Sequence, residues 1–246
     1  MNREPTVWRV PDSPLRASAI TSKLVGLVAV VALSNAARAA LPLGARYPLK
    51  TAGLFAVIMG LSIGFLRQHH PFARFGAANQ ITTVRAILVA LVAGLVGEPE
   101  APSIASGAVI AGVAATLLDG VDGWLARREG IASRFGARFD MEIDALLILA
   151  LSVLAWRHGK AGPWVIVSGL LRYAFVAAGT FLPWLQAPLP ASRRRQTICV
   201  IQIAALILAM LPAIDPPVST LLAGSALVAL GYSFLIDTMW LWRQAA

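Results

Sequence analysis

The chain has 246 residues, of which 58% are hydrophobic and 13% are charged, and its mean hydropathy is +0.72. Soluble domains carry about a quarter charged residues, so this composition excludes an ordinary soluble protein and indicates an integral membrane protein. The net charge of +9 does not indicate nucleic-acid binding, because no soluble basic domain carries it and Lys and Arg are common on the cytoplasmic side of membrane proteins.

Eight apolar segments follow one another along the chain, each long enough, or nearly so, to form a transmembrane helix of about 20 residues. The predicted spans are residues 24–43, 51–66, 80–97, 103–125, 139–156, 163–185, 197–213 and 218–241. Proline and glycine separate them, as in "LPLGARYP" and "GEPEAP". The expected fold is therefore an all-α polytopic membrane protein.

The distribution of basic residues predicts the orientation. With a cytoplasmic N-terminus, fourteen of the 21 Lys and Arg residues lie on the cytoplasmic side, four lie on the other side and three lie within spans. The first span contains "ARA" at residues 37–39, which resembles a signal-peptidase site, but the preceding polar region is long and we expect an uncleaved helix. In either case residues 117–150 face the cytoplasm.

Four aspartates interrupt the apolar pattern within residues 117–150. Asp119 and Asp122 are three residues apart at the end of the fourth span, and Asp140 and Asp144 are four apart at the start of the fifth, so each pair lies on one helical face. Four neighbouring carboxylates repel one another unless a cation lies among them. Because the chain has a single cysteine, a cysteine-rich site is excluded, and the oxygen ligands favour Mg2+ or Mn2+ over Zn2+.

Glycine and arginine accompany the carboxylates. Gly123 follows Asp122 where a missing side chain lets a phosphorylated ligand approach the helix backbone, and Gly136 is expected in the turn before Asp140. Arg127 lies one helical turn beyond Gly123, where its guanidinium can bind a phosphate. Carboxylates that bind metal, a glycine and an arginine together indicate a phosphoryl-transfer site.

The whole stretch matches a known signature. It reads Asp119-x2-Asp122-Gly123-x2-Ala126-Arg127-x8-Gly136-x3-Asp140-x3-Asp144 and agrees at all eight positions with the signature of the CDP-alcohol phosphotransferase (CDP-alcohol phosphatidyltransferase) family. Upstream, "NQITTVR" resembles the Asn-x2-Thr-x2-Arg element that opens the family's first core helix. The sequence therefore resembles membrane enzymes that make phospholipids from CDP-activated alcohols.

This resemblance implies a six-helix catalytic core over residues 79–246, preceded in residues 1–78 by an N-terminal tail and two extra membrane helices. It implies that Asp119, Asp122 and Asp140 bind one or two divalent ions, Mg2+ or Mn2+. Asp144 is implied to be the general base and a further metal ligand. The implied nucleotide-binding residues are Gly123, Ala126, Arg127, Asn79, Thr82 and Arg85.

The implied reaction transfers a phosphatidyl group from CDP-diacylglycerol to a small polar alcohol, with glycerol 3-phosphate favoured, and releases CMP. The candidate acceptor-binding residues are Arg172, Arg193, Arg194 and Arg195. Membrane orientation alone would also place an arginine triplet in a cytoplasmic loop. Arg172 lies inside the sixth span, where a buried arginine needs an anionic partner.

Several alternatives stay open at this point. The acceptor can be inositol phosphate or serine, the donor can be of the CDP-choline type, or the chain can be an inactive relative. From another class, a divalent-cation carrier would use the acidic cluster but would not need Gly123 and Arg127 at this spacing. The expected partners are CDP-diacylglycerol, the alcohol acceptor and membrane lipid, without nucleic acid. We expect a homodimer in a bacterial-type inner (plasma) membrane, with its active site facing the cytoplasm.

Overall fold

The computed structural model describes residues 13–69, 77–128 and 134–245. All regular structure within these residues is helical, which confirms the predicted fold class. The α-helices are α1 (Ser13–Ala40), α2 (Tyr47–His69), α3 (Ala77–Gly94), α4 (Pro102–Arg128), α5 (Arg134–Arg157), α6 (Ile166–Phe181), α7 (Arg193–Ala209) and α8 (Val218–Ala245). Two short 3-10 helices, Pro163–Val165 and Pro183–Gln186, flank α6.

The first helix begins earlier than its apolar pattern predicts. The predicted span starts at residue 24, whereas α1 starts at Ser13 and includes Lys23. The Lys23 side chain is buried, and its ammonium donates to the Met59 carbonyl at 3.1 Å and to Ser62 Oγ at 2.6 Å, both on α2. Lys23 ends the apolar pattern although lysine is a good helix former, and the hydrogen bonds that it donates to α2 offset the burial of its ammonium.

Proline and glycine set several helix ends. The predicted first span runs past Pro42, but α1 ends at Ala40 because proline disfavours a helical residue before it. Pro183 limits α6 in the same way, so the helix ends at Phe181 and not at the predicted residue 185. At the end of α5, Gly159 adopts a φ of 67° and the Lys160 N–H donates to the Ala155 carbonyl at 2.8 Å. This is a glycine-based helix cap that satisfies the last carbonyls.

Four helical segments of the described part are long and apolar enough to cross a membrane by themselves. They are Ile20–Ala40, Pro102–Val121, Pro163–Phe181 and Val218–Ala245, and Asn79–Gly94 is a shorter apolar helix. Helix α5 carries three carboxylates in its first half, and α7 has only 17 residues. The chain is thus a polytopic membrane protein whose other helices mix apolar and charged residues.

The described part forms two compact units, and α4 and α5 each contribute to both. The first unit contains α1, α2, α3, the part of α4 from Ala114 onward and α5 up to Ile143. Gly26 allows α1 to pack closely on α2, because a Cβ atom there would lie 2.6 Å from the Phe55 ring. Helix α3 packs against both α1 and α2. This packing fixes the helix that carries the buried Arg85.

The second unit contains α4 up to Val113, α5 from Asp144 and the whole of α6, α7 and α8. Gly169 allows α6 to approach α5 closely, because a Cβ atom there would lie 2.4 Å from the Leu149 Cα. Helices α7 and α8 pack along each other. The division of the chain predicted at residues 78 and 79 stays a prediction.

Candidate active site

Arg85 connects two of the predicted metal ligands. It lies on α3 and is 1% exposed. Its Nη1 lies 2.8 Å from Asp119 Oδ1 on α4 and also contacts Asp140 Oδ1 on α5, and its Nε donates to the Ala115 carbonyl at 3.1 Å. One guanidinium therefore holds carboxylates from two helices beside each other. The Asp119 and Asp140 side chains are 29% and 33% exposed, so a ligand can reach them.

Asp144 adds a third carboxylate. It lies four residues after Asp140 on the continuous helix α5, on the same face. One oxygen from each of Asp119, Asp140 and Asp144 lies within 4.8 Å of the other two. We call these three residues the carboxylate triad. The structure therefore brings together three of the four predicted metal ligands.

The carboxylate triad fits a hard divalent cation. Around octahedral Mg2+, ligand oxygens lie about 2.1 Å from the ion, so adjacent oxygens are about 3.0 Å apart and opposite ones about 4.2 Å apart. The triad oxygens lie within 4.8 Å of one another, and this limit is slightly larger than the distance between opposite ligand oxygens of such an ion. The donors are all carboxylate oxygens, which favour Mg2+ or Mn2+ over softer metals.

The pairing of Arg85 with the triad was missed by sequence analysis. The family resemblance implied that Arg85 binds nucleotide, because Arg85 ends the Asn-x2-Thr-x2-Arg element. A signal was present, because an arginine inside an apolar helix needs carboxylate partners. The other two residues of the element, Asn79 and Thr82, are buried on α3. A nucleotide-binding role for all three stays a prediction.

The fourth predicted metal ligand and three predicted nucleotide-binding residues lie on the last turns of α4. They are Asp122, and Gly123, Ala126 and Arg127, and their side chains lie outside the described residues. Gly136 lies in the first turn of α5, so the predicted turn at this position is wrong. The reason is that α5 already begins at Arg134. The described positions of the signature therefore lie on the end of α4 and the start of α5.

The predicted acceptor arginines have different environments. Arg194 and Arg195 at the start of α7 both bind Asp237 Oδ1 on α8, at 2.5 and 3.2 Å, and Arg194 also donates to the Ser233 carbonyl. Asp237 is buried. Arg193 is exposed, and Arg172 on α6 is half-buried rather than buried as expected. One carboxylate therefore compensates part of the charge of Arg194 and Arg195 within the fold, and Arg193 does not share it.

Cys199 was not predicted to be near the site. Its Sγ lies 3.8 Å from Asp144 Oδ2, within range of a weak S–H···O hydrogen bond. Cys199 lies on α7, one helical turn after Arg195. Sequence spacing gives no signal for this contact, because it joins residues 55 positions apart. Helix α7 therefore lies directly beside the predicted base.

Comparison with known families decides the class of protein. The CDP-alcohol phosphatidyltransferase family profile matches residues 75–237. The chain belongs to the CDP-alcohol phosphatidyltransferase family. The match contains the carboxylate triad, Arg85 and all predicted acceptor arginines, whereas α1 and α2 precede it. Comparison with curated proteins gave no match.

Membership in the CDP-alcohol phosphatidyltransferase family defines the general chemistry. The protein is a membrane-embedded transferase of phosphate-containing groups in phospholipid biosynthesis. Its donor is a CDP-alcohol and its acceptor is an alcohol. The family generally uses a divalent metal, and the carboxylate triad is a group that could bind one.

Proposed function

We propose that the protein is a metal-dependent phosphatidyltransferase that transfers the phosphatidyl group of CDP-diacylglycerol to a small polar alcohol and releases CMP. The observation that carries this proposal is the carboxylate triad, with its three oxygens within 4.8 Å of one another. A pyrophosphate donor requires charge neutralisation at the phosphorus, and the triad is suited to supply a site for it. We propose glycerol 3-phosphate as the first acceptor to test.

Asp119, Asp122, Asp140 and Asp144 would hold the metal. When bound there, a divalent cation would supply positive charge to neutralise the pyrophosphate and the departing CMP. Arg85 supports this arrangement by keeping the carboxylates of Asp119 and Asp140 adjacent. Its full burial restricts the guanidinium to this position.

Asp144 is the proposed general base. Its carboxylate accepts the proton of the acceptor hydroxyl while the alcohol oxygen attacks the phosphorus that carries diacylglycerol. A new P–O bond forms, the bond to the oxygen bridging the two phosphorus atoms breaks, and the electron pair leaves with CMP. The S–H of Cys199 contacts Asp144 Oδ2 and so helps to orient the carboxylate.

The acceptor assignment is supported by the basic start of α7. Arg193 is exposed there, while Arg194 and Arg195 share Asp237. A phosphorylated acceptor would meet Arg193 and would compete with Asp237 for its two neighbours. Orientation follows the basic residues, so we propose that this end of α7 and the carboxylate triad face the cytoplasm.

The test is CMP release by the purified protein in detergent with CDP-diacylglycerol and Mg2+ or Mn2+. Glycerol 3-phosphate, inositol 1-phosphate and serine are added one at a time, and CDP-choline with diacylglycerol forms a fourth reaction. We expect release with one acceptor, and none after addition of a chelator. Release that needs no divalent metal, or metal uptake into proteoliposomes without CMP release, would contradict the proposal.

A further inference from the structure

Gln202 on α7 is a buried polar side chain whose hydrogen-bonding groups are unused. It has no exposed surface. Among the side chains that the structure describes, its Oε1 and Nε2 are the buried polar atoms without a hydrogen-bond partner. A buried amide without partners is costly, and native proteins normally satisfy such groups with protein, water or ligand. The amide therefore requires a polar partner that is not part of the chain's described fold.

The position of Gln202 is fixed by two contacts between α7 and its neighbours. Cys199 Sγ lies 3.8 Å from Asp144 Oδ2 on α5. Further along, Ile207 on α7 and Leu151 on α5 both lie against Gly112 on α4. On α7, Ile207 lies eight residues after Cys199, and on α5, Leu151 lies seven residues after Asp144. Because both contacts advance toward higher residue numbers, α5 and α7 run in the same direction here.

Gln202 therefore lies close to the level of the proposed base. It is three residues beyond Cys199, which places it about 4.5 Å further along the α7 axis and about 60° around it. The residues that follow it on α7, Ile203 and Leu206, are buried and apolar. The amide is thus the last polar group on the stripe of α7 that begins with Arg195 and passes the Asp144 contact at Cys199.

The chemistry of the amide selects its partner. Oε1 is an acceptor and Nε2 is a donor, and both lack a partner. A phosphate, a carboxylate or a lipid ester accepts hydrogen bonds only, so it would satisfy Nε2 and leave Oε1 unpaired. A hydroxyl group both donates and accepts. Hydroxyl groups are also what the acceptor of the proposed reaction brings to Asp144.

We propose that Gln202 binds a second hydroxyl group of the acceptor, next to the hydroxyl that Asp144 deprotonates. This inference rests on the proposed function and narrows its acceptor to a polyol, that is, an alcohol with at least two hydroxyl groups. The amide accepts a hydrogen bond from this hydroxyl through Oε1 and donates to its oxygen through Nε2. An acceptor without the second hydroxyl leaves the amide unsatisfied and reacts poorly.

The test compares the wild type with Gln202→Met, which has a similar length and no hydrogen-bonding groups. The matched control is Gln196→Met at an exposed position on the same helix. KM and kcat are measured with glycerol 3-phosphate or inositol 1-phosphate as acceptor, and KM is measured for CDP-diacylglycerol. For Gln202→Met we expect the acceptor KM to rise roughly 10- to 100-fold, with the donor KM unchanged. Gln196→Met should behave as the wild type.

A second comparison uses propane-1,3-diol monophosphate, which is glycerol 3-phosphate without its central hydroxyl. The wild type should prefer glycerol 3-phosphate by roughly 10- to 100-fold in kcat/KM, and Gln202→Met should lose this preference. If Gln202→Met does not fold, Gln202→Asn, which retracts the amide by one methylene group, takes its place in both comparisons.

Three results would overturn the inference while leaving the proposed function intact. They are an unchanged acceptor KM, an equal rise in the KM of donor and acceptor, and activity with serine equal to that with a polyol. A variant that changes only the unfolding temperature would show that an internal water satisfies the amide, which also overturns the inference. Absence of CMP release by the wild type with every acceptor would instead refute the proposed function, and the inference with it.

Discussion

Removing the charge of Arg85 should destabilise the protein and make its stability depend on divalent metal. In Arg85→Met the apolar stem is kept and the guanidinium is lost. That group contacts Asp119 and Asp140 and donates to the Ala115 carbonyl. After the change the two carboxylates face each other without the cation that now separates them, and the Ala115 carbonyl loses a donor.

The expected loss in the free energy of unfolding follows from the burial of Arg85 and the exposure of its two partners. Breaking a buried ion pair by removing one partner costs about 3–5 kcal/mol, because the other charge is left uncompensated. Arg85 is fully buried, but the Asp119 and Asp140 side chains are 29% and 33% exposed, so water screens part of the repulsion. We therefore expect a loss of about 2–3 kcal/mol. For a chain of this size this corresponds to a fall in unfolding temperature of about 4–12 °C.

The assay is thermal unfolding of the purified protein in detergent, with and without Mn2+. Arg138→Met is the matched control, because Arg138 is exposed on α5. We expect Mn2+ to raise the unfolding temperature more in Arg85→Met than in the wild type, because the ion replaces the missing positive charge and ligand binding stabilises the folded state. An unfolding temperature equal to that of Arg138→Met, or no response to Mn2+, would refute the reasoning.

Three further predictions concern the surroundings of the triad and the opposite end of α5. Cys199 is the single cysteine of the chain and contacts Asp144, so modification by N-ethylmaleimide should add bulk beside Asp144 and reduce CMP release at least roughly tenfold. The Cys199→Ser variant should resist the reagent. Equal inhibition of the wild type and Cys199→Ser would contradict the contact. Asp237→Asn should lower the free energy of unfolding by about 1–3 kcal/mol, because it removes the carboxylate shared by Arg194 and its neighbour, and unchanged chemical denaturation would contradict this. Burial lowers the pKa of His158 below its ordinary 6.5, so the folded protein favours the neutral imidazole. Stability should therefore be fully present above about pH 6.5 and decrease as the pH falls from 6.5 through the lower folded pKa, and this component should be absent in His158→Gln when unfolding temperatures are compared across pH.

The positions of the helices and of the site carboxylates could be predicted from the sequence because both depend on residues that are close together in the chain. Apolar runs separated by Gly and Pro located every described helix, with the largest error at the start of α1. There, Lys23 ended the apolar pattern although Ser62 and the Met59 carbonyl satisfy its ammonium. The spacing of Asp140 and Asp144 on one helix predicted their common face. The signature also predicted that Asp119 lies beside them, and one oxygen of each of the three lies within 4.8 Å of the others.

The contacts between helices could not be predicted from the sequence. The sequence indicates that Arg85 needs carboxylate partners, but it does not identify Asp119 and Asp140 as these partners, because the three residues lie on three helices and no spacing rule relates them. The pairing of Arg194 and Arg195 with Asp237 likewise depends on how α7 packs along α8. The significance of Gln202 appears only when its burial and missing partners are known.

The role of Asp144 as the general base of a metal-dependent phosphatidyl transfer is tested by comparing CMP release by the wild type, Asp144→Asn and Glu142→Gln under identical donor, acceptor and Mg2+ conditions. Glu142 lies two residues from Asp144 on α5, so it controls for removal of a nearby carboxylate charge. We expect Asp144→Asn to lower kcat by at least roughly a hundredfold, because the proton acceptor is lost, whereas Glu142→Gln should retain activity. Turnover by Asp144→Asn at the rate of the wild type would show that Asp144 is not the general base.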